Sequence, residues 1–165
     1  MRAGIDASPL IFLTKLEALD VLTYYEEVLT TAEVIGEVLP EARPEDTEAL
    51  RVHQALEAEV VKMGEGRGRL ERDFGLGRGE ISILVLAGQE GLDEVIMDDR
   101  AAIGVAKYLG FRVVSTPFLL LRERVAGRWP RERFDQALDR LLAANYYLSP
   151  RLLERIRKAA RRGED

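Results

Sequence analysis

The chain contains no cysteine and only one histidine and one tryptophan in 165 residues. Without thiols it has no disulfide scaffold, no thiolate metal site and no cysteine nucleophile, and nothing ties it to an oxidising compartment. The expected location is therefore the cytoplasm. The lone His53 lies in a charged stretch and reads as a surface residue, so a Ser-His-Asp device has no base. No apolar run approaches the roughly 20 residues of a membrane span, and no stretch of signal-peptide length precedes the first carboxylate at Asp6. A soluble protein is expected.

What is present fits one domain over residues 1–165, long enough to bury a substantial core. The net charge of −5 is unevenly spread: residues 1–60 hold 13 Asp or Glu against 4 Lys or Arg, and the remainder holds 16 against 20. Such asymmetry fits either a nucleic-acid surface or solvated helix faces.

Short apolar runs alternate with helical patterns. Residues 2–6 read as a strand, with Ser8 as cap and Pro9 as first residue of the following helix. Asp20 then caps a short helix at 21–25, Val28 to Thr31 reads as a strand, and Ala32 to Leu39 as a helix stopped by Pro40. Pro44 opens a helix whose apolar positions are Leu50, Val52, Leu56 and Val60. Six glycines between Gly64 and Gly79 read as a mobile connection, and their GxG runs lack the strand-then-helix context of a dinucleotide site.

The run Ile81 to Ala87 fits a buried helix or a buried strand equally by pattern, and helix is the reading adopted. Glu94 to Met97 is a strand delivering Asp98 and Asp99, followed by a helix over 100–109 and a strand over 111–115. Thr116-Pro117 repeats the cap-plus-proline start. Phe134, Ala137, Leu138, Leu141 and Leu142 follow an amphipathic spacing. A basic amphipathic helix at about 150–162 places Leu152, Leu153, Ile156 and Ala159 on one face, with six Lys or Arg from Arg151 to Arg162. Strands alternating with helices predict an α/β fold with a parallel sheet.

Two strands end in carboxylates, Asp6 and Asp98, and two helices carry Glu37 beside Gly36 and Glu80 beside Gly79. At Asp6 alone, a turn-supporting role and a site role are equally open. Four convergent carboxylates cannot all stay ionised without a counter-charge, so convergence implies a cation. Oxygen ligands without Cys or a nearby His suit Mg²⁺ or Mn²⁺, and the chemistry such a site supports is phosphodiester hydrolysis. A haloacid-type phosphatase wants a second carboxylate where Ser8 stands, and a receiver domain wants its acidic pair earlier than Asp98-Asp99.

Four segments carry a resemblance: Ile5 to Ile11; Ala32 to Val38; Leu76 to Ala87; and Met97 to Ala102 continuing to Thr116. In this order they resemble the PIN-domain superfamily, and within it the prokaryotic proteins related to VapC toxins. The resemblance implies a three-layer α/β/α sandwich with a central parallel sheet. It implies a Mg²⁺ or Mn²⁺ site from Asp6, Glu37, Glu80 and Asp98, with Asp99 adjoining and Ser8 as a hydrogen-bonding neighbour. It further implies a metal-dependent endoribonuclease, the toxin of a toxin-antitoxin pair, with RNA as substrate, a small antitoxin chain as partner and a homodimer as assembly. The alternative is a catalytically inactive PIN-fold module that binds RNA or protein. Arg78 and Arg100 are the nearest candidates for the RNA backbone, with Arg122, Arg124, Arg128 and the C-terminal cluster further out.

Overall fold

A computed structural model describes residues 1–39 and 46–161. Strands β1 (Arg2–Ile5), β2 (Glu27–Thr30), β3 (Lys62–Met63), β4 (Glu94–Ile96) and β5 (Val113–Val114) form one sheet, ordered β3-β2-β1-β4-β5. Every pairing is parallel. Among the described residues the α-helices are α1 (Ala7–Lys15), α2 (Ala32–Val38), α3 (Thr47–Glu57), α4 (Arg78–Glu90), α5 (Arg100–Tyr108), α6 (Thr116–Val125), α7 (Arg131–Ala143) and α8 (Pro150–Arg161). A 3-10 helix spans Leu19–Tyr24.

A parallel sheet needs cover on both faces, and alternate strand residues divide between two apolar clusters accordingly. Ala3, Ile5, Val28 and Ile96 face the cluster built by α1, α3, α6, α7 and α8. Leu29, Val95 and Met97 face the other, with Ile83, Leu84 and Leu86 of α4 and Ala102 and Ala106 of α5. The result is the expected three-layer α/β/α sandwich. Fully buried side chains such as Phe134, Leu10, Ile83 and Met97 each contribute on the order of 1.5–3 kcal/mol.

Helix starts differ from expectation by one or two residues. Asp6, in extended geometry (φ −86°, ψ 170°), holds the cap position of α1, and Leu10 N–H donates to its carbonyl at 3.3 Å. Ser8 is therefore inside the helix, and Pro9 falls within the first turn, where the missing N–H has no intrahelical partner. Ser115 likewise precedes α6 and makes Thr116 the first helical residue, which frees the Thr116 hydroxyl for another bond. The start of α3 is set by Asp46, whose carboxylate accepts from Glu48 N and Ala49 N; Pro44 and Pro40 lie outside the described residues.

On α3 the expected Val52 is buried beside Ala49 and Ala55 and Leu56 packs partly buried against the core, whereas Leu50 is exposed and Val60 lies beyond the helix end at Glu57. On α8 Ile156 is buried with Ala160, and Leu152 and Leu153 pack partly buried against the same core, as expected. The glycine-rich connection packs along α4: Gly64 N–H donates to Thr30 O at 2.7 Å, and Gln89 Nε2 donates to Arg67 O. A Cβ on Gly66 would stand 2.2 Å from the Ser82 carbonyl oxygen, so glycine there permits backbone to lie against the helix.

Candidate metal centre

The carboxyl ends of the two central strands lie side by side, because β1 and β4 pair in register from Ala3–Glu94 to Ile5–Ile96. The Asp6 N–H extends that ladder by donating to Ile96 O at 3.1 Å. Asp6 is 3% exposed, and its Oδ1 has no hydrogen-bond partner. Two residues beyond β4, Asp98 accepts at Oδ1 from Thr116 N (2.8 Å) and from the Tyr146 hydroxyl (2.8 Å). Its Oδ2 accepts from Thr116 Oγ1 at 2.6 Å.

The two glutamates arrive from helices. Glu37, the penultimate residue of α2, accepts from Gly79 N at 2.9 Å, and Glu80 in the first turn of α4 accepts from Gly77 N at 2.9 Å. An unbonded N–H at a helix start attracts a carboxylate, so α4 draws both glutamates to one place. Thr31, which caps α2 through Val34 N, shares a 2.6 Å hydrogen bond with Ser82 and fixes α2 against α4. Asp99 is exposed and caps α5 by accepting from Ala102 N at 2.9 Å.

Electrostatics record the convergence. Burial pushes the Asp6 carboxyl up to about 7, against the pull of the Ala7 N–H, and the charges of Glu80, Glu37 and Asp98 add to the rise. Burial also raises Glu80, with Asp99 and Glu37 contributing. Asp98 is raised by burial despite its donors on Thr116 and Tyr146. Asp6 thus feels the charges of Glu37, Glu80 and Asp98, and Glu80 those of Asp99 and Glu37. Among the described residues none of the five forms an ion pair with Lys or Arg. Nor, among those residues, do any three His, Cys, Asp or Glu side chains already stand together as a group that could hold a metal ion.

The other candidates are differently placed. Ser8 is half-buried and lines the groove with Asp98 and Asp99, its hydroxyl bonded to neither. Arg78 and Arg100 are exposed at the first turns of α4 and α5, and the Arg100 guanidinium lies 5.9 Å from the Tyr147 ring centre. Arg122 and Arg128 are engaged in ion pairs with Glu94 and Glu123. His53 is an exposed residue of α3. Sequence reasoning gave Thr116 a capping role and Tyr146 none. No local pattern marks a tyrosine 48 residues from the aspartate it meets.

A groove of about 1070 Å³ opens beside Asp98, bounded by Arg100, Lys107, Phe118, Tyr146 and Tyr147. Phe118, Leu121 and Leu152 continue it into a smaller depression bordered by Arg155 and Lys158.

A parallel sheet covered on both faces, with carboxylates gathered at the carboxyl ends of its central strands, defines a three-layer α/β/α protein with an acidic centre. The chain belongs to the PIN-domain family: the family model DUF3368, described as a PIN domain, matches residues 4–162. No curated protein and no solved structure gives a match. PIN domains are generally nucleases and typically use divalent metals.

The residues fit such an ion. Every donor is a hard oxygen, Asp6 Oδ1 is buried without a partner, and among the described residues no Lys or Arg pairs with the group. Gly79 tests the arrangement, since a Cβ there would stand 2.7 Å from both carboxylate oxygens of Glu37. Gly79→Ala should displace that flexible carboxylate, lowering Mn²⁺ affinity by about 10-fold in calorimetry. It should leave stability unchanged or raised by up to about 1 kcal/mol, because alanine favours the helix.

Proposed function

We propose that the protein is a Mg²⁺- or Mn²⁺-dependent endoribonuclease of the VapC-related kind, acting in the cytoplasm as the toxin of a toxin-antitoxin pair. The observation that carries this reading is the buried, partnerless Oδ1 of Asp6, set among the charges of Glu37, Glu80 and Asp98. In it, Asp6, Glu37, Glu80 and Asp98 hold the ion directly or through water, with Asp99 at the rim. A divalent ion bound there supplies positive charge for the phosphodiester transition state and lowers the pKa of a water nucleophile.

The chain's own groups do the rest. Asp6, at about 7 when metal-free, gives up its proton as the ion binds. Arg78 and Arg100 take backbone phosphates, contacts that fix register without reading sequence. The groove beside Asp98 offers the exposed Tyr147 ring for base stacking and Arg100 and Lys107 for charge. Ser8, which lines the same groove as Asp98, would hydrogen-bond a water of the loaded site. A small antitoxin chain occupying the same groove, and a homodimer, follow from the family resemblance.

The test is cleavage of end-labelled single-stranded RNA. Products should appear with Mn²⁺ or Mg²⁺ and disappear with EDTA. RNA binding without cleavage at any divalent-ion concentration would instead identify an inactive binding module.

A further inference from the structure

We propose that Tyr146 is a positioning residue that restricts Asp98 to one-point coordination of a divalent cation through Oδ2. This rests on the metal-dependent reading above. An ionised carboxylate has about four lone-pair sites, two on each oxygen. Thr116 N and the Tyr146 hydroxyl, both at 2.8 Å, occupy the two on Oδ1. Thr116 Oγ1, at 2.6 Å, occupies one on Oδ2. One site remains. Without the phenol, Oδ1 would regain a free lone pair and the carboxylate could turn about its Cβ–Cγ bond or bind through both oxygens.

The phenol is placed by the fold rather than by Asp98. Asn145, at φ 66°, turns the chain out of α7, and Tyr146 N–H donates back to Leu141 O at 3.2 Å. The ring packs edge-on against Phe12 of α1, with centroids 5.1 Å apart. Downstream, Ser149 Oγ accepts from Leu152 N in the first turn of α8. Donor, ring and both flanking helices are thus fixed before any ligand arrives, which is what orienting a metal ligand requires. The C-terminal helices thereby act on a centre built by β1, β4, α2 and α4.

Tyr146→Phe retains the ring and its Phe12 contact and removes the hydroxyl, which is the donor to Asp98 and a hydrogen-bond partner of the Ser115 side chain. Mn²⁺ binding is measured by titration calorimetry on the full chain without RNA, beside thermal melts in EDTA. The expected result is about 10-fold weaker Mn²⁺ binding, with the metal-free melting temperature within about 4 °C of wild type. Tyr147→Phe, which removes the neighbouring phenol that does not touch Asp98, should bind as wild type does. Unchanged affinity in Tyr146→Phe, or an equal loss in Tyr147→Phe, would overturn the inference alone. A wild-type chain that binds no Mn²⁺ would overturn it together with the metal-dependent reading.

Discussion

Asp6→Asn is expected to lower divalent-ion-dependent RNA cleavage by at least about 100-fold while raising the melting temperature of the metal-free protein. The two effects share a cause. Asp6 is buried, its Oδ1 is unpaired and its carboxyl is pushed up to about 7. The fold therefore prefers the protonated acid, and the stability this gives is fully present below the ordinary carboxylate range near 3.9. It is lost as pH rises through about 7. Three pH units correspond to about 4 kcal/mol at most. An amide removes the charge but leaves its own polar atoms to satisfy, so a gain of about 1–2 kcal/mol above pH 7 is reasonable. For a chain of this size that is roughly 3–6 °C.

Calorimetric melts in EDTA from pH 5 to 8 check the sign. Wild type should lose stability as pH rises, and Asp6→Asn should be flatter. Added Mn²⁺ should stabilise wild type by mass action and the variant much less. A variant that is inactive and also less stable in EDTA would mark Asp6 as structural.

Arg122→Ala should cost about 3–5 kcal/mol, roughly 10 °C, and is the largest loss expected from one surface-reaching side chain. Glu94, in the interior strand β4, is 4% exposed. Its Oε1 and Oε2 each lie 3.1 Å from Arg122 Nη2, the Tyr25 hydroxyl donates to Oε2, and Arg122 Nη1 donates to Tyr25 Oη at 2.8 Å. Burial and Glu94 raise the Tyr25 phenol far above its ordinary range, so it remains a donor. Removing the guanidinium strands a buried carboxylate on the strand that delivers Asp98.

Arg157→Ala offers the comparison. Its partner Asp139 and its own side chain are both exposed to solvent, and the loss should stay below about 1 kcal/mol. Denaturant melts of the two variants decide between them. Equal losses would show that burial of Glu94 is not what gives the pair its weight.

Much of this architecture is legible in the residues, and the exceptions have physical causes. Ile5-Asp6 and Met97-Asp98 announce strand ends because an apolar run stops at a carboxylate. The helix start after Asp6 shifts because Asp and Ser are both good caps, and proline is tolerated throughout a first turn. β5 falls within the strand read over 111–115, but β3, Lys62–Met63, has two residues, too few for any period to show. The glycine-rich segment reads as mobile because glycine signals freedom locally, whereas at Gly66 it serves a close approach that only tertiary structure reveals.

Charged residues divide in the same way. Glu37 and Glu80 are visible as acids near glycines, but their meeting at the start of α4 depends on the Thr31–Ser82 contact between helices. Arg122 has the spacing of a solvent-facing helix residue, and its engagement by Glu94 across 28 positions leaves no local trace. Tyr146 is hidden for the same reason.

Diffraction from crystals grown with Mn²⁺, recorded at a wavelength where manganese scatters anomalously, addresses the acidic centre most directly. The expected result is a peak between the ends of β1 and β4, within about 2.5 Å of Asp6 Oδ1 and Asp98 Oδ2. An empty centre at millimolar Mn²⁺, or a peak held by other groups, would contradict the divalent-ion assignment and the nuclease reading built on it.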